Sequence, residues 1–346
     1  MSKPSETSSN IGVQNPKIMK ALITGIAGFA GSHLVDYLLN RGFDVSGISY
    51  PGFPLNNIQH CLDRLNVIQS DITSYKDLKQ AIHQIKPDYL FHLAAISSVS
   101  KSWEGREAVF KTNIGGSFNV LEVCREMKNS PHILLVSTGE VYGPIEAVEH
   151  AAQENQPYNP ISPYAATKAA MEILAMQYIS SDNLPVYIAR PFNHSGPRQS
   201  DNFVCSAFAR QIAAIEMKKK EPKLYVGNLK AQRDFSDVRD IVAGYLSIVQ
   251  QGKIGEAYNL CTQRAVSIEK ILHILLSHSA DEIEVIPRKD LFRPSDIPLL
   301  IGDNSKANKE LGWKNERTLE QMLLDLLDYW RNSLKTGNEN ICFNNG

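Results

Sequence analysis

A doubly wound α/β fold, a parallel sheet with helices on both faces, is the fold class this sequence predicts, and three observations carry it. Short β-branched runs alternate with amphipathic stretches through the first half of the chain. The first run ends in a glycine-spaced turn that opens a helix. A chain of 346 residues, 43% of them hydrophobic, can bury a large core. Strand then helix, repeated, implies parallel neighbours, because a parallel pair needs a crossover connection.

Residues 20–24 form the first predicted strand and run into T-G-I-A-G-F-A-G-S-H-L, with glycines at 25, 28 and 31. Glycine lets the backbone turn sharply and approach a pyrophosphate, whose charge meets free N–H groups at the helix N-terminus. Gly25, Gly28, Phe29, Ala30 and Gly31 are therefore candidate dinucleotide contacts, although the spacing is G-x-x-G-x-x-G rather than G-x-G-x-x-G. The second strand, 43–49, leads into Ile48-Ser49-Tyr50-Pro51. A carboxylate there would bond a ribose 2′-hydroxyl and an arginine would accept a 2′-phosphate. Neither is present, so NADP(H) and NAD(H) both stay open.

The third strand, 65–69, is followed by Asp71, which reads either as a contact to the adenine amino group or as a cap for the helix opening at Tyr75. Strands at 88–93, 133–137 and 186–189 complete the expected sheet. The fifth of these six ends in Ser137-Thr138-Gly139-Glu140, where a hydroxyl and a carboxylate two residues apart on extended chain would point the same way.

Y-x-x-x-K occurs twice, as Tyr75-Lys79 and Tyr164-Lys168, each on one helix face. Tyr75 has no hydroxyl neighbour in sequence. Tyr164 follows Ser162-Pro163 and belongs with Thr138 at the carboxyl end of the sheet, where α/β ligands bind. There a lysine ammonium would lower the tyrosine pKa from about 10 towards the working range. The tyrosine could then exchange a proton with an alcohol oxygen while hydride moves on carbon.

From Asn193 the rhythm changes to helical stretches at 203–219, 237–250, 267–278 and 319–334, separated by short strands and a proline-rich turn, 293–298. We divide the chain into a flexible tail (1–18), a Rossmann-like dinucleotide-binding domain (19–192), mainly a smaller α/β substrate lobe (193–335), and a second tail (336–346). The 36 basic and 37 acidic residues leave a net charge of −1, which favours neither nucleic acid nor an anionic membrane. The run Lys218-Lys219-Lys220-Glu221 reads as a solvated helix end. Five cysteines without a C-x-x-C pair, no signal-like opening and no membrane-length apolar run fit a reducing cytoplasm, and no metal is expected.

The glycine loop, His92-Leu93-Ala94-Ala95, Thr112-Asn113, Ser137-Thr138, Tyr164-x-x-x-Lys168 and Arg190-Pro191-Phe192-Asn193 together resemble the extended short-chain dehydrogenases/reductases, over roughly residues 20–331. That resemblance implies catalysis by Thr138, Tyr164 and Lys168, cofactor contacts that add Asp71, Ile72, Leu93, Ala94, Ala95 and Pro191, and a nucleotide-linked sugar as substrate. It also implies a homodimer, or a tetramer, through helices at 104–128 and 162–181. F-N-H-S-G-P-R-Q-S-D-N-F-V, G-N-L-K-A-Q-R-D-F-S-D-V-R-D and R-P-S-D-I-P-L-L-I-G-D are similar to the guanosine-diphosphate branch of dehydratases and 4-keto reductases. By that similarity Arg233 and Arg293 clamp the diphosphate, Asn193 and Val204 line the nucleotide-sugar pocket, and Ser97 or Ser98 touches the hexose. A planar guanidinium suits phosphate, although an Arg233–Asp234 ion pair would also explain the first arginine.

In the dehydratases the acid matching Glu140 removes the proton at carbon 5, and the reductases can carry an acid there too. Gly28-Phe29-Ala30-Gly31, the short turn at 50–57, the segment 97–103 and F-N-H-S-G-P-R-Q resemble the reductases more. The expected activity is NAD(P)H-dependent reduction of a GDP-linked 6-deoxy-4-keto-hexose, giving GDP-D-rhamnose. The alternatives are a GDP-mannose 4,6-dehydratase or other nucleotide-sugar epimerase or dehydratase, and a non-catalytic dinucleotide-binding protein.

Overall fold

The computed structural model describes residues 17–292 and 297–337. The two proposed tails thus lie almost wholly outside the described residues. Its elements run β1 (Lys20–Thr24), α1 (Phe29–Leu39), β2 (Asp44–Ser49), β3 (Asn66–Gln69), α2 (Tyr75–Ile85), β4 (Tyr89–His92), α3 (Val99–Glu104), α4 (Arg106–Phe110), α5 (Gly116–Arg125), β5 (His132–Val136), α6 (Pro163–Asp182) and β6 (Val186–Pro191). The second half adds β7 (Asn193–Ser195), α7 (Val204–Glu216), β8 (Lys223–Val226), β9 (Gln232–Asp237), α8 (Val238–Gln251), β10 (Ala257–Leu260), β11 (Ala265–Ser267), α9 (Ile268–Ser277), β12 (Glu284–Pro287), β13 (Leu299–Leu300), α10 (Ser305–Leu311) and α11 (Leu319–Lys335).

Seven parallel strands form the main sheet in the order β10-β6-β5-β4-β1-β2-β3. Its central strands are apolar on both faces, as buried parallel strands must be. Leu22, Leu90, Ile133 and Leu135 pack towards α2, α5 and α6, while Ala21, Ile23, Phe91 and Leu134 pack towards α1 and α8. The order reverses between β4 and β1, which opens a crevice at the carboxyl edge.

The structure redraws two expectations. The predicted helix at 104–128 is broken at Gly105 and again by a π-helical turn, Lys111–Gly115, which delivers the buried Asn113 side chain to Ile96 and Thr167. A seventh strand, β10, comes from the second half of the chain, as does α8 on the face of the main sheet. The second lobe has its own core, where α7, α9 and α11 close over β8 and β9 around Trp330. Among the described residues no helix is long and apolar enough to cross a membrane.

Candidate functional site

A cleft of about 1530 Å³ runs along the carboxyl edge of the main sheet and under the second lobe. β1 delivers the chain to Gly25, whose φ of +75° favours glycine and where a Cβ would sit 3.0 Å from the Ala94 nitrogen. At Gly31 a Cβ would lie 2.2 Å from the Gly25 carbonyl. No side chain caps the N-terminus of α1, which opens into the cleft, an arrangement suited to a pyrophosphate. Phe29 stacks on His194 at 5.8 Å and 13°, joining the loop to the start of the second lobe.

Ala94 donates to Thr24 Oγ1 at 3.2 Å, and that hydroxyl meets His92 Nδ1 at 2.8 Å. Burial, with the Lys168 charge, pushes His92 down to about 3, so the ring is neutral. Asp71 Oδ1 accepts from the Thr73 nitrogen at 2.8 Å, and the N-cap position of α2 is Ser74, whose hydroxyl turns to Asp77, so Asp71 shapes the turn rather than capping the helix. The buried hydroxyls of Ser49 and Ser70, at the ends of β2 and β3, line the cleft without a hydrogen-bond partner. Buried polar groups are nearly always paired. Two neutral orphans beside a glycine cradle fit the sugar hydroxyls of a dinucleotide.

β5 ends at Val136, and Thr138 opens a 3₁₀ turn, Gly139–Tyr142, so the extended-chain geometry expected for Thr138 and Glu140 is not what forms. Instead the Glu140 nitrogen donates to Thr138 Oγ1 at 3.2 Å, and Glu140 still lines the cleft because the turn winds back over it. Ser162 caps α6 by accepting from the Ala165 nitrogen at 3.1 Å, with Pro163 preset in the first turn, and this aims Tyr164 into the cleft. Thr138 hydrogen-bonds the Tyr164 hydroxyl. Lys168 donates to the Val136 carbonyl at 2.7 Å, with its ammonium 6.0 Å from the Tyr164 ring centre.

The protonation pattern departs from expectation. Burial raises the Tyr164 pKa above its usual range, the Glu140 charge raises it further, and the Thr138 hydrogen bond offsets only part of this. Burial lowers the Lys168 pKa to about 8, with the Glu172 charge opposing that drop, so the ammonium is present at neutral pH but is lost before the raised Tyr164 hydroxyl titrates. Tyr164 therefore stays protonated, ready to donate.

Behind Lys168 lies a buried ion pair. Arg190 and Glu172 meet at 2.7 Å, Tyr158 donates to Glu172 at 3.1 Å, Ser137 also donates to it, and Arg190 reaches Tyr142 at 2.7 Å. This network ties the ends of β5 and β6 to the helix carrying Tyr164 and Lys168.

The other Y-x-x-x-K pair is elsewhere: Lys79 pairs with Glu126 at 2.6 Å, Tyr75 hydrogen-bonds the same carboxylate, and neither lines the cleft. Ser97, Ser98, Asn193, Val204 and Arg233 also line the cleft. Ser98 also caps α3. Asn193 keeps a buried Oδ1 without a partner, and Val204 begins α7, whose N-terminus has no side-chain cap. Arg233 donates to the Ile297 carbonyl at 2.5 Å, while Asp234 accepts from the Thr262 nitrogen at 2.7 Å, which replaces the Arg233–Asp234 pair with two separate anchors. Arg293 lies outside the described residues.

Sequence reasoning passed over Lys220, Tyr225 and Arg288, which also line the cleft, with Arg288 5.4 Å over the Tyr225 ring. Lys220, read as part of a solvated run, sits at the cleft rim. It also missed Ser49, Ser70 and Tyr245. Their signal is a buried hydroxyl without a partner, which no spacing reveals.

With this geometry the comparisons with known proteins agree. A GDP-6-deoxy-D-mannose reductase of Pseudomonas aeruginosa is 29% identical over 316 residues, covering 91% of this chain and 98% of the relative. GDP-mannose 4,6 dehydratase 2 of Arabidopsis thaliana is 30% identical, covering 89% of this chain and 86% of the relative. A solved structure of RMD from Pseudomonas aeruginosa complexed with NADPH superimposes with a TM-score of 0.80 at 28% identity, covering 91% of this chain and 99% of that one. The sequence model of one family matches residues 22–326, and the chain belongs to that family, GDP-mannose 4,6 dehydratase.

Proposed function

We propose that this protein is an NAD(P)H-dependent reductase of the 4-keto group of a GDP-4-keto-6-deoxyhexose, with GDP-D-rhamnose as product. The observation that carries the reading is Tyr164 lining the cleft with Thr138 hydrogen-bonded to its hydroxyl and the Lys168 ammonium 6.0 Å from its ring, where burial favours the protonated phenol. Reduction of a ketone needs a proton donor at the carbonyl oxygen, whereas oxidation of an alcohol needs a base. A tyrosine with a raised pKa suits the first task, since an alkoxide remains a much stronger base than tyrosinate.

The glycine loop, Ser49, Ser70 and the Leu93-Ala94-Ala95 turn would hold the dinucleotide, with Asp71 and Ile72 beside them and Pro191 at its reactive end. When bound, that group supplies hydride to carbon 4. Thr138 orients the carbonyl oxygen, Tyr164 gives it a proton, and the Lys168 ammonium stabilises the tyrosinate left behind. Asn193, the N-terminus of α7 and Arg233 would hold the nucleotide and its diphosphate, while Ser97 and Ser98 face the hexose. On this reading residues 19–192 are the dinucleotide-binding domain and 193–335 mainly the substrate lobe, with β10 and α8 lent to the first. NAD(P)H consumption coupled to a new hydroxyl at carbon 4, followed by nuclear magnetic resonance, tests the proposal. Stable NAD(P)H in the presence of the keto sugar would contradict it.

The pH profile follows from Lys168. Its pKa is lowered from 10.5 to about 8, so the ammonium is present below that value and lost above it. The kcat/KM for reduction should accordingly fall as pH rises through about 8, and a flat profile from about 7 to 10 would remove the lysine charge from the mechanism.

A second reading, 4,6-dehydration, is favoured by one observation, the presence of Glu140 close enough to Tyr164 for its charge to be felt. For assembly we propose a homodimer at least. Phe110, Phe118, Ile173 and Met176 are exposed by 43 to 55% on α4, α5 and α6, and pairing these helices across a two-fold axis would cover them. Sedimentation at micromolar concentration should give a dimer or a tetramer, and a monomer would contradict this.

A further inference from the structure

Five tyrosines are fully or nearly buried: Tyr142, Tyr178, Tyr187, Tyr245 and Tyr258. Four of their hydroxyls have partners within the protein. Tyr142 donates to Asn259 at 2.8 Å, Tyr178 to Glu122 at 2.8 Å and Tyr258 to Glu310 at 2.9 Å, while Tyr187 meets His132 at 2.9 Å. Tyr245 is the exception: it is 0% exposed, and its hydroxyl has no hydrogen-bond partner. Leaving a buried hydroxyl unpaired is destabilising, and phenylalanine would fill the same space without that penalty.

The position of Tyr245 gives the orphan a destination. α8 lies close against the sheet because residue 244 is glycine, where a Cβ would come 2.8 Å from Leu260 and 2.9 Å from Trp313. Asp240 on the same helix accepts from Arg317 Nη1 at 2.5 Å and from the Glu316 nitrogen at 3.0 Å, and its carbonyl accepts from Trp313 Nε1 at 2.8 Å. A helix pinned in this way fixes where the tyrosine projects. Tyr245 lines the same cleft as Tyr164, Lys168, Val136 and Leu93. Among the described residues Tyr164 is the one ionisable group whose charge reaches it, which sets Tyr245 beside the catalytic tyrosine.

We propose that the Tyr245 hydroxyl is completed by the bound dinucleotide, bonding a polar group of its nicotinamide half, and is thus a cofactor-positioning residue. A tyrosine hydroxyl both donates and accepts, so it matches a carboxamide or a ribose hydroxyl in either role. The inference rests on the reading of the cleft as a dinucleotide site.

The test is Tyr245→Phe, measured first without substrate. The apo variant should melt at the same temperature as wild type or higher, because the change removes an unsatisfied polar atom. NADPH titration by fluorescence should show binding weakened on the order of tenfold, the effect of one lost hydrogen bond. At saturating NADPH the KM for the keto sugar should be unchanged. A lower apo melting temperature with unchanged NADPH affinity would overturn the proposal, since it would reveal a structural partner for the hydroxyl. Equal NADPH affinity in both proteins, at any stability, would overturn it while leaving the cleft a dinucleotide site. Wild type that binds neither NADPH nor NADH would overturn both.

Discussion

Replacing Tyr164 by phenylalanine should lower kcat for reduction by at least about a hundredfold, since a positioned general acid is worth roughly 10² to 10⁴ in rate. The change deletes one oxygen and leaves the ring, so the packing of α6 should survive. What disappears is the proton that the carbonyl oxygen needs as hydride arrives, together with the hydrogen bond to Thr138. Stopped-flow or steady-state turnover with saturating NADPH measures the loss, and KM for the cofactor should move far less than kcat. The same substitution at Tyr75, whose hydroxyl meets Glu126 outside the cleft, should leave turnover near wild type. Equal losses at the two positions would show that the wrong Y-x-x-x-K pair had been placed in the site.

Glu172→Ala should destabilise the fold by about 3 to 5 kcal/mol, the range found when one member of a buried pair is removed. Both partners are nearly or wholly inaccessible, with side-chain exposures of 5% for Arg190 and 0% for Glu172. The cost arises chiefly from the guanidinium left behind, because Tyr142, Tyr158 and the Glu154 carbonyl can bond it but cannot neutralise it. Chemical denaturation of wild type and variant measures the difference. Replacing Glu172 and Arg190 together by apolar residues of similar volume should recover much of the loss, as no charge then remains unpaired. A single variant within about 1 kcal/mol of wild type would mean that water or a shifted side chain reaches Arg190.

The main sheet was legible because its parallel strands are buried on both faces and therefore read as apolar runs. β1 falls on residues 20–24 as expected, and the next five strands differ only at their ends. β10 escaped because Ala-Tyr-Asn-Leu is short and carries a polar residue, and Asn259 is tolerated there only because its side chain donates to the Ala152 and Asp303 carbonyls at 2.8 and 3.2 Å. Those partners are distant in sequence.

Thr138, Tyr164 and Lys168 were readable from residue type and strand position, and the structure brings them together. Their electrostatics were not. An isolated Y-x-x-x-K helix puts an ammonium near a phenol and suggests a lowered tyrosine pKa, but burial of both groups and the charge of Glu140 reverse that sign. The orphan hydroxyls of Ser49, Ser70 and Tyr245 are likewise products of tertiary packing.

The central claim is that this site reduces a 4-keto sugar rather than making one. Its most direct test is incubation of wild-type protein with GDP-mannose and NAD(P)⁺, with no reduced cofactor added, followed by analysis of the sugar. The account predicts that GDP-mannose is recovered unchanged, while the 4-keto-6-deoxy derivative supplied with NAD(P)H is reduced. Formation of the 4-keto-6-deoxy sugar from GDP-mannose, abolished by Glu140→Gln, would contradict the account and identify Glu140 as the base that removes the proton at carbon 5.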